Sequence, residues 1–349
     1  FNLFIFIEIT SLATYSLIGF EGRETQLAAG FKYIIATSVA TTFFLLGTAF
    51  IYYQTGTLNI DDIMARQALI GGPVGQIALI LLLASLLIEL KPYPANGWGL
   101  DVYEAAPGAI ASMISVGVSA GVLFALYKVL PLFGDFLTSI AVVGGITFLV
   151  SNLIGLKQKN VKRLLGYSSI GQIGLLVLTL ALLHKYDQPA HLALIVGGLF
   201  INHLLAKAGL FWLAGVVKLD NIGEWSGIAG KSLTLLIFGI CLVALTGLPP
   251  FPGFWAKWAL ILELAVDELY GWIALVLVGS LLEAAYLFRW FGHALRRGDT
   301  TSVTVPGMDL MPPAIAAVVL AVAGYFSAMH AGVVPMQLFL PVYAAFVLY

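Results

Sequence analysis

Long apolar runs, separated by short polar segments, recur along the whole chain. Several of these runs exceed the roughly 20 residues that a helix needs to cross the hydrocarbon core of a bilayer. The pattern predicts spanning helices at 1–20, 31–54, 71–91, 103–129, 132–156, 164–184, 189–217, 230–247, 254–266, 270–295 and 311–330, followed by a final apolar stretch at 335–349. The shorter segment 58–67 is predicted to be an interfacial helix.

Two of the predicted elements are interrupted by prolines. The first break runs from Glu89 to Pro94 and the second from Thr246 to Gly253. Proline removes a backbone donor, and irregular backbone at membrane depth persists only where protein or a watery cavity satisfies its polar groups. Both breaks are therefore predicted to face the interior. The pattern predicts an all-α membrane bundle of about eleven spans with two inverted repeats and two broken helices.

Composition supports a lipid environment and excludes several classes of function. The 349 residues are 60% hydrophobic and only 10% charged, which is too little polar surface for a water-soluble globule of this size. A net charge of −1 argues against nucleic acid, and the single Cys241 excludes a disulfide framework or a thiolate metal site. Because no phosphate loop, metal-ligand spacing or serine nucleophile motif stands out, we expect neither catalysis on a soluble substrate nor a cofactor in this chain.

Basic loops predict the orientation of the chain in the membrane. Three lysines and one arginine lie in the segment 157–163, and Arg296 and Arg297 follow a later helix. Both loops fall on one side when the second broken element is counted as one span, and this side is predicted to be cytoplasmic. The acidic link at 267–268 then faces outward. The basic run is interpreted as a solvated orientation signal.

Four ionisable residues lie inside apolar helices: Glu8, Lys207, Lys257 and Glu283. A charge at the bilayer centre costs about 2.5–3.5 kcal/mol on insertion scales, and such residues usually pair or line an ion path. His203 stands four residues before Lys207, which places both on one helix face. A proton can pass between them directly or through one water, whereas the alternative is a structural histidine beside a lysine that snorkels to the membrane surface.

The other candidates also have structural alternatives. Lys257 follows the second break and can reach the cavity that the break lines, or it can anchor the interface beside two tryptophans. Glu8 can set the charge state of a neighbouring lysine, or it can be a protonated residue in a packed interface. Glu283 is either a proton-path residue or the partner of Arg289 or another structural cation.

A third set of charges surrounds the first break. Glu89 and Lys91 flank it, and Glu104 lies near the start of the helix predicted next. These three residues form either a hydrated charge cluster or a group of interfacial charges beside a loop.

Motifs around these residues resemble the proton-conducting antiporter-like subunits shared by respiratory complex I, membrane-bound hydrogenases and Mrp-type cation/proton antiporters. Residues 160–174 read NVKRLLGYSSIGQIG and are similar to the family's NIKRLLAYSSISQIG. Residues 202–211 resemble THAFFKALLF, and residues 245–257 resemble LAGIPPLSGFFGK. Residues 98–107 resemble WLPDVYEGAP, and residues 6–15 resemble the family's glutamate-bearing helix.

The resemblance implies two inverted five-helix repeats with a central row of buried ionisable residues. It implies that Glu8 is the acidic partner of the first half, Lys207 the central lysine of the second half and Lys257 the terminal lysine on the second broken helix. The implied divisions are a first half at 1–129, a second half at 130–300 and C-terminal helices at 301–349. Since the chain opens inside an apolar run without Met, we expect the first half to be N-terminally incomplete.

Two positions depart from the family pattern. Glu89 and Ser119 stand where the family carries lysines, and a small change of register would allow Lys91 to substitute for the first of them. The second half is therefore the better-equipped proton route.

By resemblance, the chain is expected to be a proton-translocating subunit of a redox-driven complex in a prokaryotic cytoplasmic membrane or an energy-transducing organelle membrane. Other membrane subunits, a soluble redox module with iron–sulfur clusters and the lipid bilayer are its expected partners. The alternatives are an Mrp-type sodium/proton antiporter subunit without redox chemistry and a non-conducting structural subunit.

Overall fold

A computed structural model of the protein describes residues 2–296 and 305–330, and this part of the chain is built from α-helices. The α-helices are α1 (Asn2–Ile18), α2 (Glu24–Thr55), α3 (Ile60–Ala65), α4 (Pro73–Glu89), α5 (Gly97–Ala105), α6 (Gly108–Met113), α7 (Ser119–Val129), α8 (Leu137–Gly155), α9 (Val161–Lys185), α10 (Pro189–Val217), α11 (Ser232–Thr246), α12 (Pro252–Val266), α13 (Tyr270–Leu295) and α14 (Met311–His330). The β structure of the described residues is a single isolated bridge between Asn160 and Asn221.

Six helical stretches in the described residues are long and apolar enough to cross a membrane, and three shorter apolar helices accompany them. The prediction of an all-α membrane bundle is therefore confirmed. The number of about eleven spans, the inverted repeats and the divisions at 129/130 and 300/301 stay predictions. The predicted helix at 58–67 is present as α3, whereas Arg297 and the apolar stretch at 335–349 lie outside the described residues.

Helix α9 occupies the middle of the bundle and is buried throughout its most apolar stretch. It approaches α8 closely because glycines face each other at the contact. A Cβ atom on Gly174 would lie 2.7 Å from the carbonyl oxygen of Gly144, and one on Gly144 would lie 2.6 Å from the backbone nitrogen of Leu178. Small residues at such crossings let helix backbones pack together without a hydrophobic driving force from water.

Both predicted breaks are present. Helix α4 ends at Glu89 and α5 begins at Gly97, with Lys91 in the left-handed region at φ 60°. Helix α11 ends at Thr246, where Gly247 adopts φ 75°, and α12 begins at Pro252. A left-handed residue is a common way to end a helix, and proline fits the first turn of the next one.

The prediction of one helix over 103–129 is wrong at its start. Helix α5 ends at Ala105, and Ala106 is extended with ψ 149°. Proline restricts the preceding residue to extended backbone, so Pro107 ends α5 at this point. The chain then continues through α6 and one π-helical turn, Ile114–Val118, into α7.

Two residues of the basic run stabilise the first break. Arg163 contacts Asp101 at 3.0 Å and Glu104 at 2.7 Å, and Lys162 donates a hydrogen bond to the carbonyl of Ala106 at 3.0 Å. Lys32 of α2 reaches the other oxygen of Asp101 at 2.5 Å. The interpretation of this run as a solvated signal is therefore wrong for Lys162 and Arg163, because both fix α5 against α9.

We expect Gly174→Ala to destabilise the protein by about 1–3 kcal/mol, because the added methyl group overpacks the α8–α9 crossing. Thermal unfolding of the detergent-solubilised protein measures the loss. Gly292→Ala on α13 is the matched control, since nothing lies within 4 Å of its added Cβ. An unchanged melting temperature for Gly174→Ala would contradict the close approach of α8 and α9.

Candidate functional site

Glu283 of α13 is a carboxylate in the protein interior. Its side chain is fully buried and accepts hydrogen bonds from the Ser168 hydroxyl at 2.6 Å and from the Gln172 amide, both on α9. The Nζ atom of Lys257 lies 4.0 Å from Oε2 of Glu283, the oxygen that also accepts from Gln172. Glu283 is therefore held in a fixed position by α9 while it faces a lysine on α12.

Lys207 of α10 is the second cation that interacts with Glu283. Its side chain is fully buried, and its ammonium donates a hydrogen bond to the carbonyl of Leu165 at 3.1 Å. It also interacts electrostatically with Glu283. One carboxylate thus provides the counter-charge for lysines on two different helices, which is the pairing that charges in a low-dielectric interior require.

Lys257 contacts the second break in addition to Glu283. Its Nζ atom lies 3.5 Å from the carbonyl of Thr246, the last residue of α11. The final carbonyls of a helix lack helical partners and carry partial negative charge, so a cation is stabilised there. Gly247 permits the approach, because a Cβ atom on this residue would lie 3.0 Å from the lysine nitrogen.

Burial and contacts decide between the alternatives for these residues. The side chains of Lys207 and Lys257 are buried and bound to interior carbonyls, so neither lysine snorkels or anchors the interface. Arg289 donates hydrogen bonds to the carbonyls of Leu156 and Gln158, and the cation at Glu283 is Lys257. The structure therefore brings Lys207, Lys257 and Glu283 together.

His203 lies one helical turn before Lys207 on the same helix. Its side chain is 1% exposed, and both ring nitrogens lack a hydrogen-bond partner within the described part of the protein. The backbone of Ser115 lies beside the ring, and the Lys207 ammonium interacts with it electrostatically. An unpaired buried polar group is costly, so a water molecule that hydrogen-bonds to the ring nitrogens would stabilise this position.

In the first half, the ammonium of Lys91 reaches both positions that depart from the family pattern. Its Nζ atom lies 3.2 Å from the carbonyl of Glu89 and 3.3 Å from the hydroxyl of Ser119. It also lies 5.4 Å from the ring centre of Trp98, within cation–π range. Gly99 leaves room for the lysine stem, because a Cβ atom there would lie 2.6 Å from Lys91 Cδ.

Glu89 and Glu8, two of the acidic candidates named from the sequence, interact with each other electrostatically. Glu89 is buried, and its Oε1 atom has no hydrogen-bond partner among the described residues. Glu8 is half-buried on α1 and interacts electrostatically with Glu89 and with Tyr33. A cavity of about 120 Å³ lies between α1 and the π-helical turn, and Glu89 lines it. The third acidic residue, Glu104, lies apart from this cluster and pairs with Arg163.

Buried hydroxyl groups connect the two halves. Ser119 donates to the carbonyl of Ile114, and the hydroxyls of Ser115 and Ser169 lie 2.7 Å apart. Sequence reasoning singled out Ser119 but missed Ser115, Ser168, Ser169 and Gln172, although the last three fall within the motif at 160–174. Their position as polar side chains inside a predicted spanning helix is the signal that could have identified them.

No group of three or more His, Cys, Asp or Glu side chains within residues 2–296 and 305–330 is arranged to hold a metal ion. The thiol of Cys241 is buried and unpaired with another cysteine. The polar groups discussed above that the described residues place in the interior are charged side chains and hydroxyl groups.

Comparison with known proteins identifies matches over most of the chain. The family model described as NADH:quinone oxidoreductase/Mrp antiporter, TM matches residues 1–283. NADH-quinone oxidoreductase subunit N of Desulforudis audaxviator is 33% identical over 314 residues, which cover 85% of this chain and 61% of the relative. The chain thus spans about three fifths of the length of this relative.

Two solved structures share the fold. A subunit of the membrane-bound sulfane sulfur reductase, an archaeal respiratory membrane complex, aligns with a TM-score of 0.85 and 30% identity over 95% of this chain and 70% of its own. A subunit of the Mrp complex from Dietzia sp. aligns with a TM-score of 0.82 and 24% identity over 94% of this chain and 71% of its own. Because the identity to the Mrp subunit is only 24%, this match shows a shared fold and not a shared role.

We expect Glu283→Leu to destabilise the protein by about 3–5 kcal/mol, because it leaves two buried lysines without their shared counter-charge. Thermal unfolding in detergent measures the loss. Asp135→Leu is the control, since it removes an exposed carboxylate between α7 and α8 and is expected to change stability by less than about 0.5 kcal/mol. Equal effects of the two variants would mean that Glu283 does not compensate the lysines.

Proposed function

Since this chain belongs to the NADH:quinone oxidoreductase/Mrp antiporter transmembrane family, we propose that it is a proton-translocating subunit of a multi-subunit redox-driven membrane complex. The proposed proton pathway consists of Glu8, Glu89, Lys91, His203, Lys207, Glu283 and Lys257. The observation that carries the proposal is that the buried Glu283 carboxyl lies 4.0 Å from the Lys257 ammonium and also interacts electrostatically with the buried Lys207.

Electrostatic coupling makes this arrangement suitable for moving protons. Protonation of Glu283 removes the counter-charge that Lys207 and Lys257 share, so each ammonium then loses stabilisation and releases its proton more readily. Ionisation of Glu283 has the opposite effect. A change of charge at one group therefore drives a change at the next, and the proton moves stepwise through transient water.

His203 extends this relay toward the first half. It lies one turn from Lys207 and beside Ser115, whose hydroxyl contacts Ser169. A neutral imidazole has one ring nitrogen that donates a hydrogen bond and one that accepts, so it can relay a proton without holding a net charge. The unpaired ring nitrogens support a role for His203 in passing protons between Lys207 and the serines that connect the halves.

In the first half, Lys91 is proposed to take the role of the family lysine whose position Glu89 occupies. Its ammonium lies against the last carbonyl of α4, as the Lys257 ammonium lies against the last carbonyl of α11. Glu89 and Glu8 supply the acidic groups near it. The same pairing of a lysine with a broken helix in each half supports a conducting role for both.

The sequence matches favour a redox-driven complex over an Mrp-type antiporter. A relative at 33% identity is named NADH-quinone oxidoreductase subunit N, and a solved neighbour at 30% belongs to a respiratory complex. On this proposal, iron–sulfur clusters reside in partner subunits and other membrane subunits flank the chain.

Mild-detergent purification of the native complex, followed by mass spectrometry of its subunits and an iron assay, tests this proposal. We expect iron–sulfur subunits to co-purify with the chain. Sodium-dependent proton movement without metal or an electron donor would identify an exchanger instead.

We expect Lys207→Ala to abolish or sharply reduce proton pumping while the complex still assembles, because the relay loses its central lysine. Proton movement per turnover in proteoliposomes measures the effect. Lys231→Ala is the matched control, since this lysine is exposed before α11. Wild-type pumping by Lys207→Ala would refute the proposed function.

We expect Lys91→Met to lower pumping at least severalfold, because methionine keeps the packing volume but carries no proton. The same proteoliposome assay measures the change. Lys128→Met tests the removal of an exposed lysine at the end of α7 and is expected to pump normally. Unchanged pumping in Lys91→Met would indicate a first half that serves as a structural scaffold.

A further inference from the structure

An ion pair that the proton pathway above does not include joins the outward ends of α10 and α12. The Nδ1 atom of His191 lies 2.5 Å from the Oε1 atom of Glu263. The histidine side chain is 44% exposed, whereas the glutamate side chain is only 17% exposed. One member of the pair is therefore accessible at the surface of the protein while the other is largely covered by protein.

The pair lies at the end of a helix contact that leads to the buried lysine. Antiparallel packing of α10 and α12 brings Asn202 against Gly253 and Gly198 against Ala256, as the space around both glycines shows. The pair of His191 and Glu263 is a further contact between the same two helices, nearer to their outer ends. Six residues separate Lys257 from Glu263, which is about 9 Å along a helix axis.

Apolar residues close the path between the pair and Lys257. Ile195 of α10 and Leu260 of α12 fall between them in this register, and both side chains are fully buried. Water that enters this contact transiently would connect the pair with Lys257. Such a closed segment limits proton leakage while the lysine is not exchanging.

The chemistry of the pair fits exchange with bulk water. An imidazole can donate or accept a proton through its ring nitrogens, and a carboxylate beside it can hold or release the shared proton. The other ionisable groups at this end face elsewhere: Lys185 donates to Thr138, and His184 and Asp187 line a separate cavity with Asp61 and Lys128. Asp267 and Glu268 lie in the turn between α12 and α13.

We propose that the His191–Glu263 pair is the site at which protons exchange between the outer aqueous phase and Lys257. The inference rests on the proposed function and on the orientation that the basic loops predict. A half-exposed ion pair contributes little to stability, so a purely structural clamp would leave pumping nearly unchanged. The two roles therefore predict different results.

External Zn²⁺ is a suitable probe, because histidine and carboxylate are both zinc ligands. Pumping by the complete complex is measured in right-side-out and inverted membrane vesicles over a range of zinc concentrations. We expect zinc to inhibit from the outer side, and we expect His191→Asn and Glu263→Gln to raise the half-inhibitory concentration by about 10-fold or more. Zinc-free pumping should also fall severalfold in both variants. His184→Asn is the matched control and should retain the inhibition.

A second readout separates proton exchange from packing. Imidazole in the outer solution should restore pumping in His191→Ala, since a diffusible base can replace the missing side chain. If either His191 variant does not assemble, the zinc titration of Glu263→Gln decides. Unchanged zinc sensitivity and unchanged pumping in Glu263→Gln and His191→Asn would overturn the inference. Lys207→Ala, measured in parallel, separates this outcome from failure of the proposed function.

Discussion

The arrangement of the second half depends on the compensation of buried charge. Lys207 and Lys257 are removed from water, and a lysine in this setting requires a carboxylate, a carbonyl or loss of its proton. Glu283 supplies one carboxylate to both, and α9 holds it in place through Ser168 and Gln172. On the proposed function, one proton on this shared carboxylate changes the charge balance of both lysines, so the contacts that stabilise the site would also switch it.

The broken helices follow from the same requirement. An intact helix pairs its carbonyls internally, whereas the end of a helix leaves them free to contact a cation. In each half the last carbonyl of a broken helix, that of Glu89 or Thr246, contacts a lysine ammonium. Prolines and a left-handed residue create this end, so the sequence features that interrupt the helix also supply a ligand for its lysine.

Sequence reasoning predicted the helical class and both breaks because apolar length and proline act locally. It missed the end of α5 at Ala106, where one proline acts through the backbone of the residue before it. It identified the charged residues individually, since each is conspicuous in an apolar run. The contacts among them required the fold: Ser168 and Glu283 are 115 residues apart, and Arg289 proved to contact carbonyl groups instead of Glu283.

The central claim is that Glu283 changes its protonation state as the complex works. Infrared difference spectroscopy on the complex during turnover measures this change directly, in wild type and in Glu283→Gln. The account predicts a carboxyl C=O band that appears or disappears with turnover, shifts in D₂O and is absent from the variant. A difference spectrum that Glu283→Gln leaves unaltered would contradict it.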